Sequence, residues 1–281
     1  MTMAQQAAER GLHRVGARPR LGEYLKQTWG RRRFITAMAQ FRMRAGLEDN
    51  RLGVVWLLLQ PVLNATVYGT IFYFLQADRR PSDYVAHVVI GVFLFQFFSR
   101  SLSDGAKSIT GNQALVQSLA FPRLTLPLAE VMEQFLSLLP SIGLLLVMLP
   151  FLGHWPTWHW LLIVPLLGLY TLFNAGVAMI AARLTVHVRD LTQLLPFISR
   201  ILFYTSGVLF DVNRIFDKLP WVVQVYDFHP LYQVLTMARD ALMGGHNYNQ
   251  HYWLYFSIWS VVTFAVGLVF FWVAEERYGR D

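Results

Sequence analysis

The 281 residues are 55% apolar, only 15% charged, and carry a formal charge of +7. That balance excludes an ordinary soluble domain, and the lack of cysteine excludes disulfides, thiolate chemistry and cysteine-ligated metal. In so apolar a chain the surplus positive charge suits anionic lipid headgroups, so no nucleic-acid partner is expected.

Residues 1–20 are polar and Arg-rich and read as a mobile cytoplasmic N-terminus. They lack the apolar run and small-residue cleavage site of a signal peptide. Over residues 21–52 the pattern changes. Leu21, Leu25 and Trp29 recur every four residues, and Phe34, Met38, Phe41 and Ala45 continue the stripe. Arg31, Arg32, Arg33, Arg42 and Arg44 supply a cationic side, so the spacing predicts an amphipathic helix along the membrane interface.

A hydrocarbon core about 30 Å thick takes about 20 mostly apolar helical residues. Six such spans follow: Gly53 to Gln76, Tyr84 to Leu102, Leu124 to Leu152, Trp160 to Ala182, Leu191 to Phe210, and Tyr252 to Ala274. With both termini cytoplasmic, 18 Lys and Arg fall inside and five outside, which is the bias that short loops carry. The fold class predicted is an all-α polytopic membrane protein, one membrane domain over 53–274 with a cytoplasmic tail, 275–281. The loop 103–123 mixes Asp104, Lys107, Asn112 and Gln113 with Leu115, Val116 and Leu119. It predicts a short amphipathic helix able to dock another protein. After the fifth span, Trp221 to Val225 and Leu231 to Met243 are apolar but too short to cross, with Pro230 suited to a helix start and Gly244 to a stop. They predict interfacial or re-entrant helices.

The chemistry of catalysis is missing. No phosphate loop occurs, since Gly105-Ala106-Lys107-Ser108 lacks the adjacent Gly-Lys pair, and no metalloprotease or nucleophile-elbow motif is present. The eight histidines show no ligand spacing. No catalytic residue, metal or cofactor on this chain is expected. Charges within spans carry more information, because they are costly in hydrocarbon and tend to pair or line a cavity. Glu130 and Glu133 begin span three, and Arg200 lies in span five. Glu133 and Arg200 each lie nine residues into spans that run the same way, so a buried pair at one depth is one reading, with Glu130 the alternative partner, and separate exposure of each charge to a water-filled inner vestibule is the other. Trp56, Tyr68, Phe93, Phe97 and Tyr204 belong to a dense set of aromatics. Such rings suit a glycan path, and equally suit lipid-facing and interhelical packing.

Four segments then point to a family. LGVVWLLLQP (Leu52 to Pro61) resembles the opening of the first span in ABC-2 type polysaccharide export permeases. NQALVQSLAFPRLTLPLAE (Asn112 to Glu130) is similar to that family's inner loop, RDLTQLLP (Arg189 to Pro196) to its entry into span five, and HPLYQVLTMARDALMGG (His229 to Gly245) to its outer segment, with His229 where the family usually has Asn. The resemblance implies a non-enzymatic half-transporter in a bacterial inner membrane. Two copies would form the pore, and two separate ATPase subunits would hold ATP and Mg. It further implies a coupling helix at about 112–120, with Asn112, Leu115, Leu119, Phe121 and Arg123 facing the ATPase, and re-entrant helices over about 213–244. Arg31, Arg32, Arg33, Arg42 and Arg44 would contact the pyrophosphate of a polyprenyl-linked glycan, such as O-antigen, teichoic acid or galactan. Other amphiphiles, such as drugs or glycolipids, are the alternative cargo for such a permease.

Overall fold

The computed structural model describes residues 19–48, 53, 55–76, 83–118, 121–244 and 248–275. The expectations for residues 1–18, Leu119, most of the turn at 77–83 and the tail beyond Glu275 lie outside these residues.

The described residues form helices and connecting turns, with no strand. Five helices are long and apolar enough to cross a membrane. They are α3 (Val55–Gln76), α4 (Tyr84–Lys107), α6 (Thr125–Phe151), α7 (Ile163–His187, led by a 3-10 turn at Trp158–Leu162) and α12 (Tyr252–Val273). Prolines sit inside α3 and α6 without ending them, as neighbouring helices in a membrane allow. The chain is a polytopic, all-helical membrane protein.

Two expected helices differ from the sequence reading. The interface helix is two pieces, α1 (Leu21–Gly30) and α2 (Arg32–Glu48). Gly30 is a weak helix former, the following arginines repel one another, and the Thr28 hydroxyl bonds back to the Tyr24 carbonyl at 2.8 Å, so the helix breaks there. The fifth expected span is helical only over α8 (Leu191–Thr205), fifteen residues or about 22 Å. Beyond it Gly207 turns at φ 70, and the chain continues irregularly past Val208 and Leu209. Both are buried, and their carbonyls find donors: Arg239 reaches Val208 at 2.9 Å and Gln76 reaches Leu209 at 2.8 Å. Irregular backbone at membrane depth survives under such protein cover.

The most buried spanning helix is α4. The helix α7 packs parallel to it, with Phe97 against Tyr170 and Gly105 against Ala178. The other face of α7 meets α12 where Gly176 and Gly267 bring the backbones together. A Cβ on Gly267 would lie 2.5 Å from the Gly176 carbonyl oxygen, and one on Gly176 would lie 2.5 Å from Thr263. Small residues allow this approach where apolar burial gives helices in lipid little drive to associate.

The bundle has two distinct ends. At the basic end, α1, α2, the 3-10 turn Thr110–Asn112 and α5 (Gln113–Ser118) gather near Glu275. The far end carries α9 (Val212–Ile215), α10 (Pro220–Asp227) and α11 (Pro230–Met243). The fourteen residues of α11 are too few to cross, and nearly all are buried against α4, α7 and α12. Trp160 donates to the Leu242 carbonyl at 2.9 Å, and Gln233 to the Asp227 carbonyl at 2.5 Å.

The glycine contact sets a test of this packing. Gly176→Leu should overpack the α7–α12 crossing and destabilise the protein by about 1–3 kcal/mol or more. Gly168→Ala has nothing within 4 Å of the added Cβ and should leave stability unchanged or slightly higher. Thermal unfolding in detergent, followed by tryptophan fluorescence, reads both.

Candidate functional site

The basic end of the bundle holds a polar network that ties the interface helices to three spans. Arg42 on α2 is half-buried and pairs with Glu130 on α6. The same guanidinium donates to the Asn112 side-chain oxygen at 2.9 Å, and Asn112 donates to the Ser108 carbonyl at 2.7 Å. On α4, Arg100 donates to Gln60 of α3 at 2.5 Å. In the orientation that satisfies both its ends, the Gln96 amide oxygen accepts from Arg100 at 2.8 Å. Asp104 accepts from Gln134 of α6 at 3.1 Å. A narrow cleft lined by Gln96, Arg100, Gln134, Ser137 and Ser141 lies beside these groups. Burial lowers the Arg42 pKa from its ordinary value, and the Glu133 and Asp104 carboxylates oppose that shift.

A second knot lies beside it. The Tyr24 hydroxyl donates to Glu275 at 2.6 Å and accepts from the Leu124 N–H at 3.1 Å. Glu275 also accepts from the Arg123 N–H at 3.0 Å, and the Arg123 guanidinium reaches the Glu275 carbonyl at 2.6 Å. Burial raises the Glu275 pKa, against the Tyr24 and Arg123 bonds that lower it. Phe121 packs on Phe34 with centroids 6.1 Å apart. The stretch that follows α5 is therefore fastened to α1 and α2.

Several residues singled out in the sequence take other places. Glu133 does not pair with Arg200: Arg200 is exposed on α8, while Glu133 belongs to the cluster around Arg42, Asp104 and Arg100. Equal depth along two helices says nothing about azimuth, and α8 packs against α4 and α7 rather than α6. Arg42 is tied to Glu130, whereas Arg31, Arg32, Arg33 and Arg44 are exposed, with Arg32 against the Trp29 ring. Leu115 packs towards the membrane domain together with Val116, so the exposed side of α5 is Gln113, Ala114, Gln117 and Ser118. Phe93 and Phe97 are 1% and 3% exposed and belong to the helical core, held there by close packing of α4 against α6 and α7. Tyr68 and Tyr204 instead meet on an open face with Phe72 and Phe203, and Trp56 is exposed farther down α3. An apolar cavity of about 400 Å³ lies between α3 and α4, bounded by Gly69, Tyr73, Tyr84, Val88 and Met148.

The sequence reading missed Tyr24, Glu275 and Arg239. Arg239 carried a signal, as a lone cation in the apolar run Leu231 to Met243. It is 2% exposed and donates to the carbonyls of His87 and Val208, so it holds the irregular end of span five against α4. His229 caps α11: its Nδ1 accepts from the Tyr232 N–H at 3.3 Å, the part Asn plays at a helix start. Burial lowers the His229 pKa. Among the described residues no group of three His, Asp or Glu side chains could hold a metal.

Residues 33–243 match the family model described as ABC-2 type transporter, and the chain belongs to that family. It is 28% identical over 240 residues to the O-antigen export system permease protein RfbA of Klebsiella pneumoniae, covering 85% of this chain and 90% of that one. The Myxococcus xanthus protein of the same name is 25% identical over 194 residues, 69% of this chain and 74% of that one. The polysialic acid transport protein KpsM of Escherichia coli is 22% identical over 246 residues, 86% of this chain and 94% of that one.

Two measurements check the geometry. Arg42→Ala leaves Glu130 without its cation and should cost about 3–5 kcal/mol of stability, as breaking a buried pair does. Adding Glu130→Gln should recover part of the loss, and strictly additive unfolding free energies would contradict the pair. At His229 the neutral ring is the capping form and its folded pKa is depressed. The cap's contribution is full above the unfolded value near 6.5 and is lost as pH falls through the lower folded value. His229→Asn should therefore unfold at the same temperature as the parent at pH 7.5 and resist acidification to pH 5 better.

Proposed function

We propose that this ABC-2 chain is the transmembrane permease subunit of an ATP-driven exporter that moves a polyprenyl-linked polysaccharide across a bacterial inner membrane. Its basic end faces the cytoplasm. Two copies form the path, and two separate ATPase subunits bind ATP and Mg and drive them. The observation that carries this reading is the likeness, over 85% or more of the chain, to proteins named for O-antigen export and polysialic acid transport.

The fold supports it in detail. The basic loops hold the arginine surplus that keeps such flanks in the cytoplasm. The helix α5 offers Gln113, Ala114 and Gln117 to a soluble partner, while Asn112 and Phe121 fasten the same segment to α2, Leu124 to α1 and Arg123 to the end of α12. Docking forces on α5 reach the interface helices directly. Exposed Arg31, Arg32, Arg33 and Arg44 meet the phosphates of the inner leaflet and of a lipid-linked substrate waiting there, since guanidinium pairs with phosphate bidentately. O-antigen-type polymers are the first substrate class to test, with galactan and teichoic-acid-type polymers next.

Depletion of the protein in its native cell tests the reading. Finished lipid-linked polymer should accumulate on the cytoplasmic leaflet; normal polymer at the outer surface would overturn polysaccharide export and leave other amphiphiles as cargo. At α5, Ala114→Glu combined with Gln117→Glu should abolish copurification of the ATPase while leaving membrane insertion intact. Undiminished copurification and export would remove α5 as the docking element.

A further inference from the structure

Arg200 is a cation in the wrong place for a lone chain in lipid. Its neighbour Phe203 packs on Phe95 with centroids 5.1 Å apart. Phe95 lies halfway along the 24-residue α4, so that contact lies well inside the span. Arg200 is three residues away, about 4.5 Å towards the basic end. With α4 centred in a hydrocarbon core about 30 Å thick, that leaves roughly 10 Å to the nearest headgroup layer, more than an arginine stem spans. The side chain is exposed, and no carboxylate among the described residues forms an ion pair with it. A charge at this depth faces water, a partner charge or a ligand.

Its surroundings favour a ligand. Gln193, Phe197, Arg200 and Tyr204 fall on one stripe of α8, and all four are exposed. Tyr204 meets Tyr68 and Phe72, which extend the face onto α3. The acid nearest along α8 is its N-terminal Asp190, ten residues away. Glu130 is engaged by Arg42, and Asp104 by Gln134, on the far side of α4. Among the described residues, the stripe Gln193, Phe197, Arg200 and Tyr204 thus sets an amide and two aromatic rings around the Arg200 guanidinium.

We propose that Arg200 is an anion-binding residue inside the membrane, taking the phosphate groups of the lipid-linked substrate as they pass along the α3–α8 face. The proposal rests on the substrate reading above. Guanidinium offers a planar fork to phosphate oxygens, and dry surroundings strengthen such charge-assisted bonds. Phosphate recognition would then occur in two stages, first at the exposed arginines of α2 and then at Arg200.

The test uses the full chain in nanodiscs and two probes, a short polyprenyl pyrophosphate and the matching polyprenyl alcohol. Wild type should bind the pyrophosphate at least about tenfold more tightly, the scale of one or two charge-assisted bonds. Arg200→Gln should lower that preference at least about threefold with unchanged unfolding temperature, leaving only what the exposed arginines of α2 supply, and Arg200→Lys should fall between the two. A wild type with no preference would sink the lipid-pyrophosphate reading and this proposal with it. A preference undiminished in Arg200→Gln would overturn only the role of Arg200. Loss of stability together with dissociation of copies in Arg200→Gln would also overturn it, assigning the cation to a contact between two chains. Should Arg200→Gln fail to insert, the Arg200→Lys affinity decides the matter, since an unchanged preference there contradicts fork recognition.

Discussion

A charged group in hydrocarbon must find a partner, and for two cations of this chain the protein itself supplies it. Arg42 reaches in from the interface helix to Glu130, and in doing so fixes α2 across the start of α6. Arg239 answers it differently, with backbone carbonyls of His87 and Val208, and so closes the irregular end of the fifth crossing. Removing either cation would leave polar groups with neither water nor partner, a larger loss than the bonds alone.

The same requirement gives the basic end its mechanical character. Three contacts join the segment 112–124 to the interface helices: Asn112 with Arg42, Phe121 with Phe34, and the Leu124 N–H with Tyr24. Glu275 adds the end of α12 to the same knot. Displacement of α5 cannot leave α1 and α2 behind without breaking several buried polar bonds. Any force on α5 is thereby shared with α1 and α2 through these contacts.

The crossings were legible in the sequence because bilayer thickness sets helix length, and five of the six expected spans lie within five residues of the observed helices. The fifth was legible as an apolar stretch but not as a broken helix. Its end depends on Gly207 and on Arg239, thirty-two positions later in the chain. The Glu133–Arg200 pair failed for a general reason. Counting residues gives depth, while the direction a side chain takes comes from packing. Phe93 and Phe97 show the same limit, since an aromatic on a spanning helix reads alike whether it lines a path or fills a core. The helix start at Pro230 was legible, and His229 just before it, where the family usually has Asn, fills the cap because its ring nitrogen accepts the same N–H that an Asn oxygen would.

Transport by this chain should need both its own path and an energy source elsewhere, and reconstitution tests that most directly. The permease would be placed in proteoliposomes with a copurifying ATPase subunit and a lipid-linked O-polysaccharide confined to the ATPase side. The account predicts that glycan becomes accessible on the opposite leaflet only with both subunits and ATP. Equal movement without ATP, or no glycan movement while another amphiphile crosses, would contradict it.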